Sequence, residues 1–459
     1  MPLYEHQRKI VKSPARFKVI RGGRRGGKTT LETEILSFKS VTKKDSRVYY
    51  LAPTQKQARE IIWETLRARL SSIAQFHEQR LEIKLPTQQG GTSLVQVAGW
   101  ENRENFRGKP ADHITFDETD TMKDFFIGWQ EIFRPALIDR AGTADFIGTP
   151  KKENPNLRRL EKQAATDIDW AAFHFTSWDN PALPREELQK AEMEMDIETY
   201  RQEILAEYVE NAGALFHYDA LVDVFTNTIT KENQRYLIAD IADDGTDKTI
   251  FSFWEGLEEY KREAFERLNT EEIINKLREY AASDKIPFSN IAVDAIGVGA
   301  GVANSSLLTG IVGFKSSYSP IKTDHSIVLL PNVHYTKNAP LVSEYKNLRS
   351  QCVFLLAWHV NEHKIASRLT GRAKETVIEE LAHYQDASKG DGKRMATPKE
   401  DVKELIGRSP DDSDTWVMRM YFVLKSRLLP DGERSSLVVD QQNRMFDSTF
   451  RAQQVDSSK

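Results

Sequence analysis

The chain alternates short apolar runs with longer amphipathic stretches. Phe17-Lys-Val-Ile20 predicts a strand, and Thr29 through Ser37 then reads as a helix. Arg47-Val-Tyr-Tyr-Leu-Ala52 predicts a second strand and Gln55 through Leu70 an amphipathic helix, a βα unit of the kind that builds a parallel sheet. Further strands are expected at Asp112–Phe116 and Asp145–Gly148. The pattern restarts at Tyr236–Ala242, Ile250–Phe253 and Asn290–Val293. Between them, about 211–234, lies a polar, threonine-rich stretch without a long apolar period, and after Leu429-Pro430-Asp431-Gly432 the chain turns polar again. An α/β protein of two domains is expected, with boundaries 1–210 and 235–430, a linker at 211–234 and a mobile tail at 431–459.

Composition narrows the class. With 459 residues, 39% hydrophobic and 29% charged, the chain is long enough for two cores. Its single cysteine, Cys352, excludes an intramolecular disulfide and any cysteine-rich zinc site. The start carries no apolar signal core and no segment is apolar for long enough to span a bilayer, so a soluble, intracellular protein without a membrane partner is expected. A net charge of −4 argues against nucleic-acid coating of the whole surface but leaves room for a local basic groove.

The strongest chemical signal follows the first strand. Gly22, Gly23, Arg24, Arg25, Gly26, Gly27, Lys28, Thr29 and Thr30 contain the full G-x-x-x-x-G-K-[ST] pattern of a phosphate-binding loop (Walker A). Glycines there let backbone N–H groups turn toward phosphates, Lys28 supplies a point charge for the β/γ oxygens, and Thr29 can offer its hydroxyl to Mg²⁺. A second strand ends in Asp117-Glu118, which fits a Walker B pair. Asp117 would hold the Mg²⁺ shell and Glu118 would polarise the attacking water. The same two acids also suit a helix N-cap with a first-turn acid. Gly148-Thr149-Pro150 closes the next strand in a polar turn; Thr149 is a candidate sensor of the γ-phosphate, although such a turn also simply ends a strand.

Taken in order, these motifs, with Phe106-Arg107-Gly108, Ser177-Trp-Asp-Asn180-Pro181, Tyr200-Arg-Gln-Glu203 and Gly213-Ala-Leu-Phe216, resemble the large terminase subunit of tailed bacteriophages. That resemblance implies a P-loop (ASCE-type) ATPase domain with a parallel sheet, followed by an RNase H-like nuclease domain with a mixed sheet. It further implies that Gln7 reads adenine through its amide and that Arg140 is offered to a neighbouring subunit's ATP, with Arg134, Arg24 and Arg25 as rivals.

In the second half, Asp240 emerges inside an apolar strand, where a carboxylate is costly unless a cation or donor neutralises it. Asp294 ends another strand ahead of Gly297-Val-Gly299-Ala-Gly301, a glycine spacing that also resembles a dinucleotide fingerprint. The terminase resemblance favours Asp294 as a second metal ligand. Asp411 and Asp414, at i and i+3 after Ser409-Pro410, face one side of a helix, with Asp414 as third ligand and Asp411 as auxiliary. The resemblance commonly has Ala-Leu after the last acid; this chain has Thr415-Trp416, which alters packing behind the ligand. Asp240, Asp294 and Asp414 would hold two Mg²⁺ or Mn²⁺ ions for in-line attack on a phosphodiester. Lys399, Lys403 and Arg408 are candidate contacts to DNA phosphates, or a solvated face.

The expected function is therefore ATP-driven packaging of double-stranded DNA combined with endonuclease cutting of concatemers. The expected partners are a portal protein, a small terminase subunit and further copies in a ring. The expected location is the host cytoplasm, transiently at the procapsid portal vertex. A helicase-type translocase with a non-catalytic second domain is the alternative.

Overall fold

Strands form where apolar runs are long enough to be buried on both faces, and the glycine or acid that ends each run sets the active edge. In the computed structural model, which describes residues 3–152, 155–209, 213–242, 248–321, 345–390 and 392–426, the chain divides into two units. They are Met1–Phe225 with Leu369–Tyr384, and Thr226–Arg368 with Gln385–Lys459. The expected tail at 431–459 and the Asp243–Asp247 turn lie outside the described residues.

The first unit opens with helix α1 (Glu5–Lys12), strand β1 (Phe17–Gly22), helix α2 (Lys28–Thr42) and strand β2 (Arg47–Ala52). Strands β3 (Gln75–His77), β4 (Glu82–Pro86), β5 (Thr92–Gly99), β6 (His113–Asp117), β7 (Thr143–Gly148) and β8 (Trp170–Phe175) follow, with α3 (Asn156–Ala164) between the last two and α4 (Ile197–Glu203) beyond. The sheet runs β3-β4-β5-β2-β6-β7-β1-β8. From β5 to β8 every pairing is parallel, as the βα pattern predicts. At the other end β3, β4 and β5 pair antiparallel, so the sheet is mixed rather than parallel. The physical reason is a short connection, residues 78–81, which can join β3 to β4 only as a hairpin. The expected helix Gln55–Leu70 forms with a π turn at Arg59–Trp63 in its middle.

Aromatic rings fill one face of this sheet. Phe116 and Phe146 stack at 5.3 Å, and Phe146 stacks on Trp170, also at 5.3 Å. Helix Gly371–Ala382, although late in the chain, packs in this unit, where the buried Glu375 pairs with Arg159.

In the second unit, strands β9 (Arg235–Asp240), β10 (Thr249–Glu255) and β11 (Glu258–Phe265) form an antiparallel meander. Helix α5 (Thr270–Ser283) leads to β12 (Ile291–Asp294) and β13 (Val312–Phe314), both laid parallel on the β9 side of the sheet. Helix α6 (Leu348–Asn361), the short β14 (Ala366–Ser367), α7 (Lys399–Ile406) and α8 (Asp411–Ser426) complete it, and the sheet runs β13-β12-β9-β10-β11-β14. Three antiparallel strands continued by two parallel ones is the sheet of an RNase H-like fold, as expected. Helix α8 is held on the sheet by a buried network. Trp416 Nε1 donates to Glu259 Oε2 at 2.8 Å, and Arg262 joins Glu259 to Asp412 at the start of the helix. Thr415-Trp416 thus packs behind Asp414 and uses a polar anchor to do so.

Candidate active sites

The P-loop is shaped by contacts that only glycine admits. A β-carbon on Gly23 would stand 2.4 Å from the Ile204 carbonyl oxygen and 2.5 Å from the Ser177 nitrogen. The loop is held from outside by the string that begins at Ser177. Ser177 Oγ donates to the Arg24 carbonyl at 2.6 Å and Asn180 Nδ2 to the Arg25 carbonyl at 2.7 Å. Lys28 begins α2, and its Nζ donates to Thr149 Oγ1 at 2.7 Å and to the Gly22 carbonyl at 3.2 Å, 3.9 Å from Glu118 Oε1. Thr149 Oγ1 donates in turn to the Gly22 carbonyl at 3.0 Å. Thr29 and Thr30 follow on the first turn of α2, half-buried.

Strand β7 separates β6 from β1, so the tip of β6 lies across the end of β7 from the loop. Asp117 is buried there; Tyr50 Oη donates to its Oδ2 at 2.5 Å and the Glu118 N–H to its Oδ1 at 2.8 Å. Burial first, and then the Glu118 charge, pushes the Asp117 carboxyl up to about 7. Its neighbour Asp120, raised by burial to about 8, accepts the N–H groups of Lys151 and Leu157 at 3.0 and 2.7 Å. The Walker B turn is thereby tied to the segment after Thr149 and to the start of α3. Glu32, one helical turn below Lys28, is fully buried and raised well above the usual carboxylate range, first by burial and then by Asp117.

Arg24 turns away from the loop to Glu203 on α4, Nε to Oε2 at 2.6 Å, while Lys151 Nζ reaches Oε1 of the same carboxylate, also at 2.6 Å. Burial would raise Glu203, but the hydrogen bonds and charges of Lys151 and Arg24 outweigh it and bring the acid down to about 2. Arg25 is exposed, in a left-handed conformation with φ +63°. Gln7 is buried with both ends of its amide occupied: Nε2 donates to the Gly27 carbonyl at 2.9 Å, and Oε1 accepts the Tyr4 N–H at 2.8 Å. In this arrangement it braces the loop rather than presenting a free base-reading edge. Arg140 stands just ahead of β7, at the opposite edge of the sheet from Lys28, bonded to Asp112 Oδ2 at 2.9 Å and to the Asp45 carbonyl at 3.2 Å. Sequence reasoning missed Glu203, Lys151, Tyr50 and Glu32. Glu203 ends the string Tyr200-Arg-Gln-Glu203 and Lys151 directly follows Gly148-Thr149-Pro150, so both stand at motifs already singled out without a role assigned, while nothing in the pattern marks the others.

The buried Asp117 has a thermodynamic consequence. Its folded value of about 7 lies above its ordinary 3.8, so its ionisation opposes folding, increasingly as pH rises between those values and constantly above them. Asp117→Asn is expected to stabilise the nucleotide-free protein at pH 8 by an amount on the order of a few kcal/mol, and not at pH 4. Thermal melts at the two pH values check this; equal shifts at both would refute it.

In the second unit β9 and β12 are parallel with Val293 level with Ala239, so Asp240 and Asp294 end neighbouring strands side by side. Asp411 and Asp414 lie on the first turn of α8. The side chain that gathers three of these acids is Lys399, whose Nζ stands 2.8 Å from Asp414 Oδ2, 3.3 Å from Asp411 Oδ1 and 3.5 Å from Asp240 Oδ2. Arg349 reaches Asp414 Oδ1 at 3.4 Å. Asp240 is pushed well up by burial against the opposing pull of Lys399, whereas Lys399 and Arg349 hold Asp414 low despite its burial. Lys399 therefore faces the acids, instead of the solvated or DNA-facing position considered from sequence. Among the described residues no three His, Cys, Asp or Glu side chains stand close enough to share one metal ion. The donor set, hard carboxylate oxygens around a cationic centre, is chemically that of Mg²⁺ or Mn²⁺. The glycine run serves packing: a β-carbon on Gly299 would lie 1.8 Å from the Asp294 carbonyl oxygen, so glycine lets the helix Val298–Ala303 close over the strand end. That use differs from a dinucleotide cradle.

A glycine loop between β1 and α2, with an acid-tipped β6 set one strand away from β1, defines the first unit as a P-loop nucleoside triphosphatase fold. Residues 19–223 match the family model described as the N-terminal part of the terminase large subunit, T4-like virus type. The terminase large subunit of Thermus phage G20c is 26% identical over 238 residues, 45% of this chain and 49% of that protein, so the match spans about half of the relative's length. Among solved structures, the large terminase ATPase domain of Thermus phage P74-26 covers 45% of this chain and 94% of its own at 24% identity, with a TM-score of 0.41. A manganese-bound mutant nuclease domain of the large terminase subunit of bacterial virus Sf6 covers 45% of this chain and 98% of its own, at 17% identity and a TM-score of 0.37. Among the described residues no helix is long and apolar enough to cross a membrane.

Proposed function

We propose that this chain is a DNA-packaging enzyme whose first unit hydrolyses ATP and whose second unit cuts DNA. The observation that carries the first half is Lys28 Nζ, held between the Gly22 carbonyl, Thr149 Oγ1 and Glu118 at the tip of the acid-ended strand. Lys28 binds the phosphates, Thr149 reports whether a γ-phosphate is present by exchanging its bond to Lys28, and Glu118 orients water. Thr29 and Asp117 would hold Mg²⁺, which neutralises phosphate charge when bound. Arg140 faces away from its own loop, which suits a side chain offered to the ATP of a neighbouring copy. Gln7 acts by holding Gly27 in place, with adenine contact through Gln7 as the further expectation.

In the second unit Asp240, Asp294 and Asp414, with Asp411 alongside, would hold two Mg²⁺ or Mn²⁺ ions that supply an activated water and a stabilised leaving oxygen. Lys399 keeps the carboxylates together by its charge. The packaging reading brings with it double-stranded DNA, a portal protein, a small terminase subunit, a ring of copies on the portal, and the host cytoplasm with the procapsid vertex as the site of action. One observation favours the translocase reading with a non-catalytic second unit: the ammonium of Lys399 already stands among Asp240, Asp411 and Asp414, where a metal ion would have to sit.

Purified chain incubated with supercoiled plasmid and Mg²⁺ or Mn²⁺, with and without ATP, separates the two. Nicking and linearisation that stop in EDTA support packaging with cutting, whereas ATP turnover without any cutting in either metal would move the conclusion to the translocase.

A further inference from the structure

A second feature of the first unit lies outside the nucleotide machinery. An open cleft of about 570 Å³ runs beside the C-terminal half of β5 and the turn that leads toward β6. Gln55, Arg80, Gln96, Asn102, Asn105 and Lys109 give it its chemistry; Glu82 is the one acid among the described lining residues. It opens toward the C-terminal ends of β2 and β5, the same edge of the parallel strands that carries Lys28 and Asp117. Nucleic acid or substrate sites of open α/β sheets gather on that edge.

Apart from Gln55, whose Oε1 accepts the Gly99 N–H at 2.9 Å, the cleft's polar side chains are not engaged by the protein in the way their neighbours are. Nearby arginines pair internally: Arg59 and Arg67 with Glu78, Arg103 with Asp124, and Arg107 with Glu104. Arg80 and Lys109, both exposed, have no ion-pair partner among the described residues; Lys109 only overlies the Phe106 ring at 5.2 Å. The side-chain amides of Gln96, Asn102 and Asn105 likewise have no hydrogen-bond partner among the described residues. The Phe106-Arg107-Gly108 string explains the presentation. Phe106 is buried as an anchor, Arg107 is tied back to Glu104, and Gly108 at φ +78° turns the chain so that Asn105 and Lys109 flank the cleft.

Two unpaired cations with three amides that can both donate and accept match a ligand that alternates anionic and hydrogen-bonding groups. A compact anion would need the cations alone, and an apolar ligand neither. We propose that this cleft holds a stretch of sugar–phosphate backbone of double-stranded DNA, with Arg80 and Lys109 on phosphates and the amides on sugar and groove edges. The inference rests on the DNA-packaging reading and adds to it where the first unit grips its substrate.

The test measures binding of a short fluorescein-labelled duplex to the full chain in EDTA, so that no cutting occurs, across a salt series. Removing one cation that neutralises a phosphate lowers the slope of log affinity against log salt by about 1, so Arg80→Ala with Lys109→Ala is expected to lower it by about 2 and to weaken binding. Charge-retaining Arg80→Lys with Lys109→Arg is expected to restore the slope. DNA-free ATP turnover and melting temperature should stay at wild-type values, since neither residue is bonded to Lys28, Thr149, Asp117 or Glu118. Wild-type binding that the double alanine variant reproduces with an unchanged slope overturns the cleft assignment and leaves the packaging reading standing. Failure of the charge-retaining variant to restore the slope overturns the phosphate role. No duplex binding by wild type overturns both.

Discussion

Lys28→Ala is expected to lower ATP turnover by about a thousandfold. A unit charge about 4 Å from a phosphate oxygen, at an effective dielectric near 20, is worth ~4 kcal/mol, which is three powers of ten in rate if the interaction strengthens in the transition state. The geometry says why a neutral side chain cannot substitute. Lys28 Nζ now rests on Thr149 Oγ1 at 2.7 Å and the Gly22 carbonyl at 3.2 Å, two acceptors that hold it on the axis of the loop without neutralising it. Thr149→Ala removes one acceptor and leaves the charge, so its loss should be nearer tenfold and concentrated in turnover rather than in nucleotide affinity. Phosphate release and fluorescent-nucleotide binding, measured together, distinguish the two variants. Turnover by Lys28→Ala within tenfold of wild type would remove Lys28 from the reaction.

How much of this is legible in the sequence depends on whether a residue's constraint is local. The P-loop is legible because its spacing is compact, and because a strand must precede it and a helix follow. Asp117 and Asp294 are legible as acids at the ends of apolar runs, and Asp240 as an acid inside one, although the strand in fact ends at Asp240. The antiparallel edge β3–β4 is not, since Gln75–His77 is only 3 residues long and the alternation of Ile83 and Leu85 with polar neighbours in Glu82–Pro86 lasts only 5 residues, too brief to stand out. Lys399 and Glu203 sit in runs of mixed charge that ordinarily form solvated faces; only long-range folding brings them against Asp414 and Arg24. An amide in isolation has both edges free, which is why Gln7 suits base reading on sequence alone, and the structure uses those edges on Gly27 and Tyr4. Helix Gly371–Ala382 reads as amphipathic, but the surface its apolar side covers is far away in sequence.

Lys399 sets up the second large effect, in which loss of cutting and loss of stability separate. Asp294→Ala is expected to reduce metal-dependent plasmid cleavage by a factor on the order of a thousand or more, since on the proposed reading Asp294 would be a ligand shared by two ions and its loss would leave both under-coordinated. ATP turnover should be unaffected, since Asp294 lies in the other unit. Lys399→Ala should behave differently. Its ammonium contacts three carboxylates, at 2.8, 3.3 and 3.5 Å; breaking a fully buried pair typically costs ~3–5 kcal/mol, and because the Lys399 side chain keeps 31% of its exposure a smaller loss is expected here. Asp414 is held below its ordinary value by Lys399, so the stability it contributes is present above the unfolded carboxylate range and is lost as pH falls through the lowered folded value. The melting-temperature gap between wild type and Lys399→Ala should therefore be wide at pH 7 and close under acid. At neutral pH, Mn²⁺ should recover more of the gap than the same concentration stabilises wild type, because a divalent ion can take over the charge that the ammonium supplied. A variant that melts with wild type at pH 7 in EDTA would show that the acids do not depend on Lys399. One that loses stability yet gains nothing from Mn²⁺ would show that the carboxylates do not form a metal site.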